Sequence, residues 1–217
     1  MRSALLFSVS FSTLLVGMSA NAAEPFDWSG FYAGLGLGGV VVSDAHTDVG
    51  PLASSSYSDS GQGFAGSANL GYNWQQGQLV FGVEALAGFL SARATGTDTA
   101  NNLITTTTFG GLVGLEGRLG FAIDRLLVYG GGGIAAGQVT IADNTGSSTN
   151  FGLPNSGWRA AAIGTLGAEY AVTDKVSIKG DLSVVKFQDI STAGTGGYSM
   201  TSAPSAAIAQ VGVNFHF

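Results

Sequence analysis

Phe109-Gly110-Gly111-Leu112-Val113-Gly114-Leu115-Glu116-Gly117-Arg118-Leu119-Gly120-Phe121 decides the fold. Its odd positions, Phe109, Gly111, Val113, Leu115, Gly117, Leu119 and Phe121, are uniformly apolar or glycine, while Glu116 and Arg118 fall on the even positions. A period of two over so long a run is a β-strand with one greasy face and one face holding isolated charges. A soluble strand has its charges toward water and its apolar side toward a core. Here the whole chain offers too few charges for that, only 10% against about a quarter in ordinary domains.

The same alternation recurs along the chain. Breakers divide it into eight expected strands: Trp28–Val42, Gln62–Gln75, Gln78–Leu90, Thr107–Ile123, Leu126–Thr140, Trp158–Val172, Val176–Gln188 and Ser205–Phe217. The third places Leu79, Phe81, Val83, Ala85, Ala87 and Phe89 opposite Glu84. The sixth sets Ala162, Leu166, Ala168 and Tyr170 against Arg159, Thr165 and Glu169. In the seventh, Val176, Ile178, Leu182 and Val184 oppose Ser177, Lys179, Asp181 and Ser183. The last sets Ala207, Ala209, Val211, Val213, Phe215 and Phe217 against Gln210, Asn214 and His216. The first and fifth strands are too rich in glycine for faces to be assigned. Gln76-Gly77, Asp124-Arg125 and Thr173-Asp174-Lys175 read as tight turns. Ser43–Gly61, Ser91–Thr106, Ile141–Gly157 and Asp189–Pro204 read as long polar loops. Short turns at one end and long loops at the other are the plan of an outer-membrane barrel, all-β, eight-stranded, antiparallel and up-and-down. Residues 23–217 form that one domain. An even strand count puts both termini on the short-turn side.

Composition agrees by exclusion. The 217 residues contain 35 glycines and no cysteine, which removes disulfide scaffolds and thiolate metal sites. A formal net charge of −6 and the lack of any Lys/Arg run argue against nucleic acid as partner. Arg2, an apolar run from Ala4 to Val16 and the small-residue close Ala20-Asn21-Ala22 read as a secretory signal peptide over Met1–Ala22, removed before Ala23 or Glu24. Loss of Arg2 takes the net charge to about −7. No later stretch holds the roughly twenty apolar residues a transmembrane helix needs, so membrane residence requires a closed barrel.

Tyr72, Trp74, Phe81, Phe121, Tyr129, Tyr170, Phe215 and Phe217 gather near the short turns or the C-terminus. They are the expected aromatic girdle at the membrane interface, where amphipathic rings settle among headgroups.

Trp28-Ser29-Gly30-Phe31-Tyr32-Ala33-Gly34 resembles the W-x-G-x-Y-x-G opening of the small outer-membrane β-barrel (porin-like surface antigen) family of Gram-negative bacteria. The closing Val211-Gly212-Val213-Asn214-Phe215-His216-Phe217 resembles the terminal signal that the barrel-assembly machinery reads in that family. The resemblance implies a surface protein of the outer membrane, a contact with that machinery through Phe217, and roles among relatives that include structure, adhesion and hemin binding.

Chemistry is sparse. Gly34-Leu35-Gly36-Leu37-Gly38-Gly39 satisfies G-x-G-x-x-G but runs on into Val40-Val41-Val42, a strand where a dinucleotide site needs a helix. Gly130–Gly133 is likewise room for neighbours in a strand. Asp143-Asn144-Thr145-Gly146 lacks the closing Glu of a calcium loop. Glu84, Glu116, Arg118, Glu169, Arg159, Lys179 and Asp181 take the inward parity as a lumenal charge network. In an eight-stranded barrel, just wide enough to be filled by side chains, these charges are expected to pair and close the lumen. The alternative is a narrow channel for small solutes, which the inward glycines Gly82, Gly88, Gly110, Gly114 and Gly120 would accommodate. The histidines are His46, in the first loop, and His216, at the periplasmic end. Neither stands with a serine and a carboxylate on an outward face, so no catalytic residue, cofactor or metal is assigned and the chain reads as a non-enzyme. His46 and Tyr57 would be the residues to ligate a heme iron at the loops, against the plainer reading of solvated loop side chains. The expected whole is a monomer among membrane lipids, holding four loops outside for a host or small-molecule ligand.

Overall fold

The computed structural model describes residues 25–51, 54–98, 103–143 and 153–217. The expected signal peptide, Met1–Ala22, lies outside them. Among the described residues nine strands form one antiparallel sheet: β1 (Gly30–Val49), β2 (Ser54–Gln76), β3 (Leu79–Asp98), β4 (Leu103–Ile123), β5 (Leu126–Asp143), β6 (Asn155–Ala171), β7 (Val176–Phe187), β8 (Ile190–Ala193) and β9 (Ser199–His216). Each strand pairs with the next up to β7, which pairs with β9, and β9 pairs with β1 to close a ring of eight. The short β8 pairs with β9 directly above the β7 register, so β7 and β8 are one wall interrupted at Gln188-Asp189.

The sheet must close because its outer face is greasy. Leu35, Leu37, Phe64, Ile134, Leu166, Val211 and Phe217 are among the most exposed large hydrophobics, each at about 70% or more of full exposure. In water such a surface would be untenable; facing lipid it is the expected band. Tight turns cap one end. Gly77 sits at φ 62° between β2 and β3, and Asp124 at φ 51° between β4 and β5, both left-handed as such turns require.

The strands depart from expectation at the other end. Three of the segments expected as loops are largely strand. β1 and β2 stay paired from Ser43↔Ser60 to Val49↔Ser54, and β3 and β4 from Ala92↔Phe109 to Asp98↔Leu103. Within Asp189–Pro204 lie β8 and the first residues of β9. Along Ser43–Asp48 and Ser54–Asp59 the inward Asp, His and Tyr alternate with small, mostly polar outward residues, so the period of two leaves little hydropathy signal; in the other two segments only the small Ala92 and Ala94 and the isolated Ile190 and Met200 mark the inner face. The fourth expected loop, Ile141–Gly157, falls mostly outside the described residues.

Faces in the glycine-rich strands are now fixed: odd positions of β1 and even positions of β5 look outward. In β4 the parity changes. Its register against β3 and β5 shifts between Phe109 and Leu112, a β-bulge at Gly110-Gly111. An extra residue reverses which side chains point in. Phe109, expected outward, is therefore buried in the lumen against Phe187, ring centroids 5.8 Å apart. Gly110, expected inward, lies instead against the outward Gln138.

Candidate functional site

The lumen is built in layers, starting at the periplasmic mouth. Phe26 and Trp28, ahead of β1, turn into the barrel and pack edge-on at 4.7 Å. Both also meet His216, at 5.2 and 5.6 Å, and Trp28 is wholly buried. Val80, Ala122, Leu127 and Ala171 complete this apolar floor. The segment is tied by Phe26 N–H to the Asp124 carbonyl (3.2 Å) and Trp28 N–H to Gln75 Oε1 (2.8 Å).

Above the floor lies the charged layer. Arg118 donates from Nη1 to the Tyr32 hydroxyl (2.9 Å) and from Nη2 to Glu169 (3.2 Å), with Glu84 at 3.7 Å. Its guanidinium lies over the Tyr129 ring at 4.2 Å. Tyr32 in turn donates to Glu84 (2.9 Å), Lys179 pairs with Asp181 (3.2 Å), and Tyr129 donates to Asp181. Glu169 also accepts from Asn214 (2.7 Å) and Ser177, and Thr165 donates to Glu116 (2.9 Å). Charges removed from water hold only when paired and saturated with hydrogen bonds, and the uncharged Tyr, Ser, Thr and Asn supply the donors that two bases alone could not. Glycines leave room for the rings: a side chain at Gly71 would strike Tyr32, and one at Gly167 would strike Tyr129. Between these groups remains a cavity of about 50 Å³, bounded by Glu84, Glu116, Arg118, Lys179 and Asp181. That is space for single waters rather than a solute.

Of the seven charges expected here, Arg159 stands apart near the outer end, donating to Asn155. Tyr129, expected in the interfacial girdle, is a lumenal residue, because the odd positions of β5 face inward. The other girdle residues lie around the periplasmic end on the outer wall. Trp74 stacks on Phe81 at 5.7 Å and Phe215 meets Phe217 at 5.2 Å. A second, upper set lies beyond the expected girdle: Phe64, Phe89 and Trp158 are exposed on the outer wall where the apolar band gives way to Ser and Thr. They were legible from parity, but lie far from any short turn.

Over the charged layer sits a second apolar plug, including Val40, Leu90, Phe109, Leu112, Ile163, Val185, Phe187 and Ile208. It continues to the outer end beneath β5–β9 as Ile141, Leu153, Ile190 and Met200. Beneath β1–β4 the outer end is polar instead. His46, expected in a solvated loop, is 1% exposed. Its Nε2 lies 3.1 Å from Asp59 and 3.4 Å from Asp44, and its ring stacks on Tyr57 at 4.9 Å. Asp44 accepts from Thr107 (2.8 Å) and Ser202 (2.7 Å); Tyr57 pairs with Thr105 (2.7 Å), and Ser55 donates to Asp98 (3.1 Å). Burial alone would lower the His46 pKa, but its hydrogen bond to Asp59 and the charges of Asp44 and Asp59 override it, so the value is raised. Burial and the facing Asp98 push Asp48 up to about 7. His46 and Tyr57, stacked and enclosed, do not offer ligands to a heme at the surface.

His216 approaches both Ser177 (3.0 Å) and Glu169 (3.3 Å), but through the same nitrogen, Nε2. A proton relay needs the serine and the carboxylate on opposite nitrogens, so this contact closes the floor of the charged layer.

A family model described as "Outer membrane protein beta-barrel domain" matches residues 10–217. A 22 kDa outer membrane protein of Rhizobium leguminosarum is 35% identical over 74% of this chain and 70% of its own. A 31 kDa outer-membrane immunogenic protein of Brucella melitensis is 30% identical over 83% of this chain and 85% of its own. Among solved structures, the outer membrane protein OprG of Pseudomonas aeruginosa is similar in fold, with a TM-score of 0.54 at 15% identity over 88% of this chain and 99% of that one. An outward apolar band, a closed ring of eight and these matches together make the chain a member of the outer membrane protein β-barrel family, resident in the cell outer membrane.

Proposed function

We propose that the protein is a non-conducting, non-enzymatic barrel whose role is structural and surface-interactive, exerted through the extracellular ends of its strands. The observation that carries this reading is the filled lumen: an apolar floor, a hydrogen-bonded charged layer and an apolar plug lie in series across any path. A ladder of paired strands carried past the lipid band gives partners a firm surface to dock on. The Brucella relatives are named immunogenic proteins, which accords with presentation at a cell surface. The chain acts as a monomer, since its sheet closes on itself, and Phe217 is the residue the assembly machinery would grip. The barrel is exported by a leader ending near Ala22.

The test is single-channel recording. Chain from Glu24 to Phe217 is refolded, its folding verified by the gel shift between boiled and unboiled samples, and applied to a planar bilayer. A silent bilayer with a fully shifted band is the expected result. Reproducible steps would establish the narrow channel instead, and Arg118→Ala or Lys179→Ala would then change ion selectivity.

A further inference from the structure

The charged layer and the outer polar group solve the same problem differently. In the charged layer, carboxylates face Arg118 and Lys179. In the outer group, Asp44 and Asp48 come from β1, Asp59 from β2 and Asp98 from β3, all at most 2% exposed, and the base among them is the single imidazole of His46. Around them β2 adds the Tyr57 and Ser55 hydroxyls, β4 the Thr105 and Thr107 hydroxyls, and β9 the Ser202 hydroxyl. Among the described residues, the inward positions of these strands at this level carry no Lys or Arg; Arg93 on β3 points outward.

His46 contacts Asp44 and Asp59 directly and reaches Asp48 only through its charge. Neither oxygen of Asp48 has a hydrogen-bond partner, although it is 1% exposed, and Oδ1 of Asp59 is in the same position. Asp48 faces Asp98 and Tyr57. Two buried carboxylates facing each other, one without a donor, are costly unless a cation or a proton joins them. The donors are all hard oxygens, the set preferred by Ca²⁺ and Mg²⁺.

We propose that Asp48 and Asp98 bind a hard divalent cation at the extracellular end of the barrel, with the Ser55 and Tyr57 hydroxyls beside them and water completing the shell. Among the described residues no three acidic or imidazole groups could hold an ion between them. The site is therefore a carboxylate pair of the modest-affinity kind, in the ~0.1–1 mM range of extracellular calcium modules. The cation pins β1 to β3 across β2, on the side of the outer end that has no apolar packing.

The probe is CaCl₂, then MgCl₂, added to barrel refolded in non-ionic detergent free of lipopolysaccharide, so that no lipid phosphate can be the source of an effect. Unfolding midpoint and calorimetric binding are recorded at pH 7.5. Expected are a midpoint raised by several degrees at about 10 mM cation and a saturable heat of binding. Asp48→Asn and Asp98→Asn abolish both effects, each verified as folded by gel shift, while Asp189→Asn, an exposed carboxylate on the outer wall, retains them. No midpoint shift in the wild type overturns the proposal and makes the pair a proton site. A shift preserved in both Asn variants overturns it too, by placing the cation elsewhere. Neither outcome depends on whether the barrel conducts.

Discussion

At the residue scale, position along the lumen decides what a charge costs. Arg118 is held by Tyr32 and Glu169 and lies over the Tyr32 and Tyr129 rings, so most of its burial is compensated, Nε alone lacking a hydrogen-bond partner. Asp48 has no such company, and its titration gives stability a pH dependence of predictable sign. Its pKa in the fold, about 7, lies above its ordinary 3.8, so the folded state holds the proton more tightly. Stability contributed by the protonated form is lost as pH rises from about 4 to about 7. His46 acts the same way: raised above its ordinary 6.5, its protonated form favours the fold, and that contribution disappears as pH climbs past 6.5 and through the raised value. In buffer with chelator, the urea midpoint of the barrel should therefore fall between pH 5 and pH 8. Asp48→Asn should flatten the lower part of that decline, and His46→Gln the upper part. A midpoint indifferent to pH in this window would contradict the buried placement of both groups.

At the element scale, the bulge in β4 is the feature that most changes the reading of a strand. Because the chain has no cysteine, single-cysteine labelling needs no background removal. Fluorophores at Val113→Cys and Leu119→Cys should be quenched by brominated lipid, and one at Phe109→Cys should not. Equal quenching at all three would mean that β4 runs without the bulge. The strands themselves were legible wherever one face was apolar, which is why their periplasmic ends agree with expectation to within a few residues. The outer ends were not. In Ser43-Asp44-Ala45-His46-Thr47-Asp48 the alternation is between exposed small polar residues and buried polar ones, and hydropathy sees both as loop. For the same reason, all seven expected lumenal charges could be named from parity, though not that Arg159 lies above the other six, whereas the Asp44–His46–Asp59 group required the β1–β2 register. Trp28 was legible as a motif but not as a floor, since nothing local says that the chain turns inward before β1.

At the scale of the whole molecule, about 20 residues in each of the first four strands exceed the span of lipid. A strand rises about 3.3 Å per residue and a tilted membrane strand needs only about 9–11 residues. Close to half of the wall in this region therefore stands outside the membrane as paired β-structure. Backbone held in a ladder cannot enter a protease cleft, so trypsin applied to intact cells should leave Arg93 uncut, although it lies in Ser91–Thr106, a segment with every compositional mark of a loop. Fragments ending at Arg93 would show that the ladder Ala92↔Phe109 to Asp98↔Leu103 opens in the cell. An uncut chain means that partners meet a rigid palisade.

The closure between β1 and β9 sets a schedule as well as a shape. Tyr32↔His216 through Val49↔Ser199 join the first strand to the last, and the Phe217 amide reaches back to the Phe31 carbonyl. Until β9 has been delivered, β1 has no second partner and its free edge stays open. The ring is thus finished only when this strand arrives, and a chain lacking it has no partial version of the closed state to fall back on.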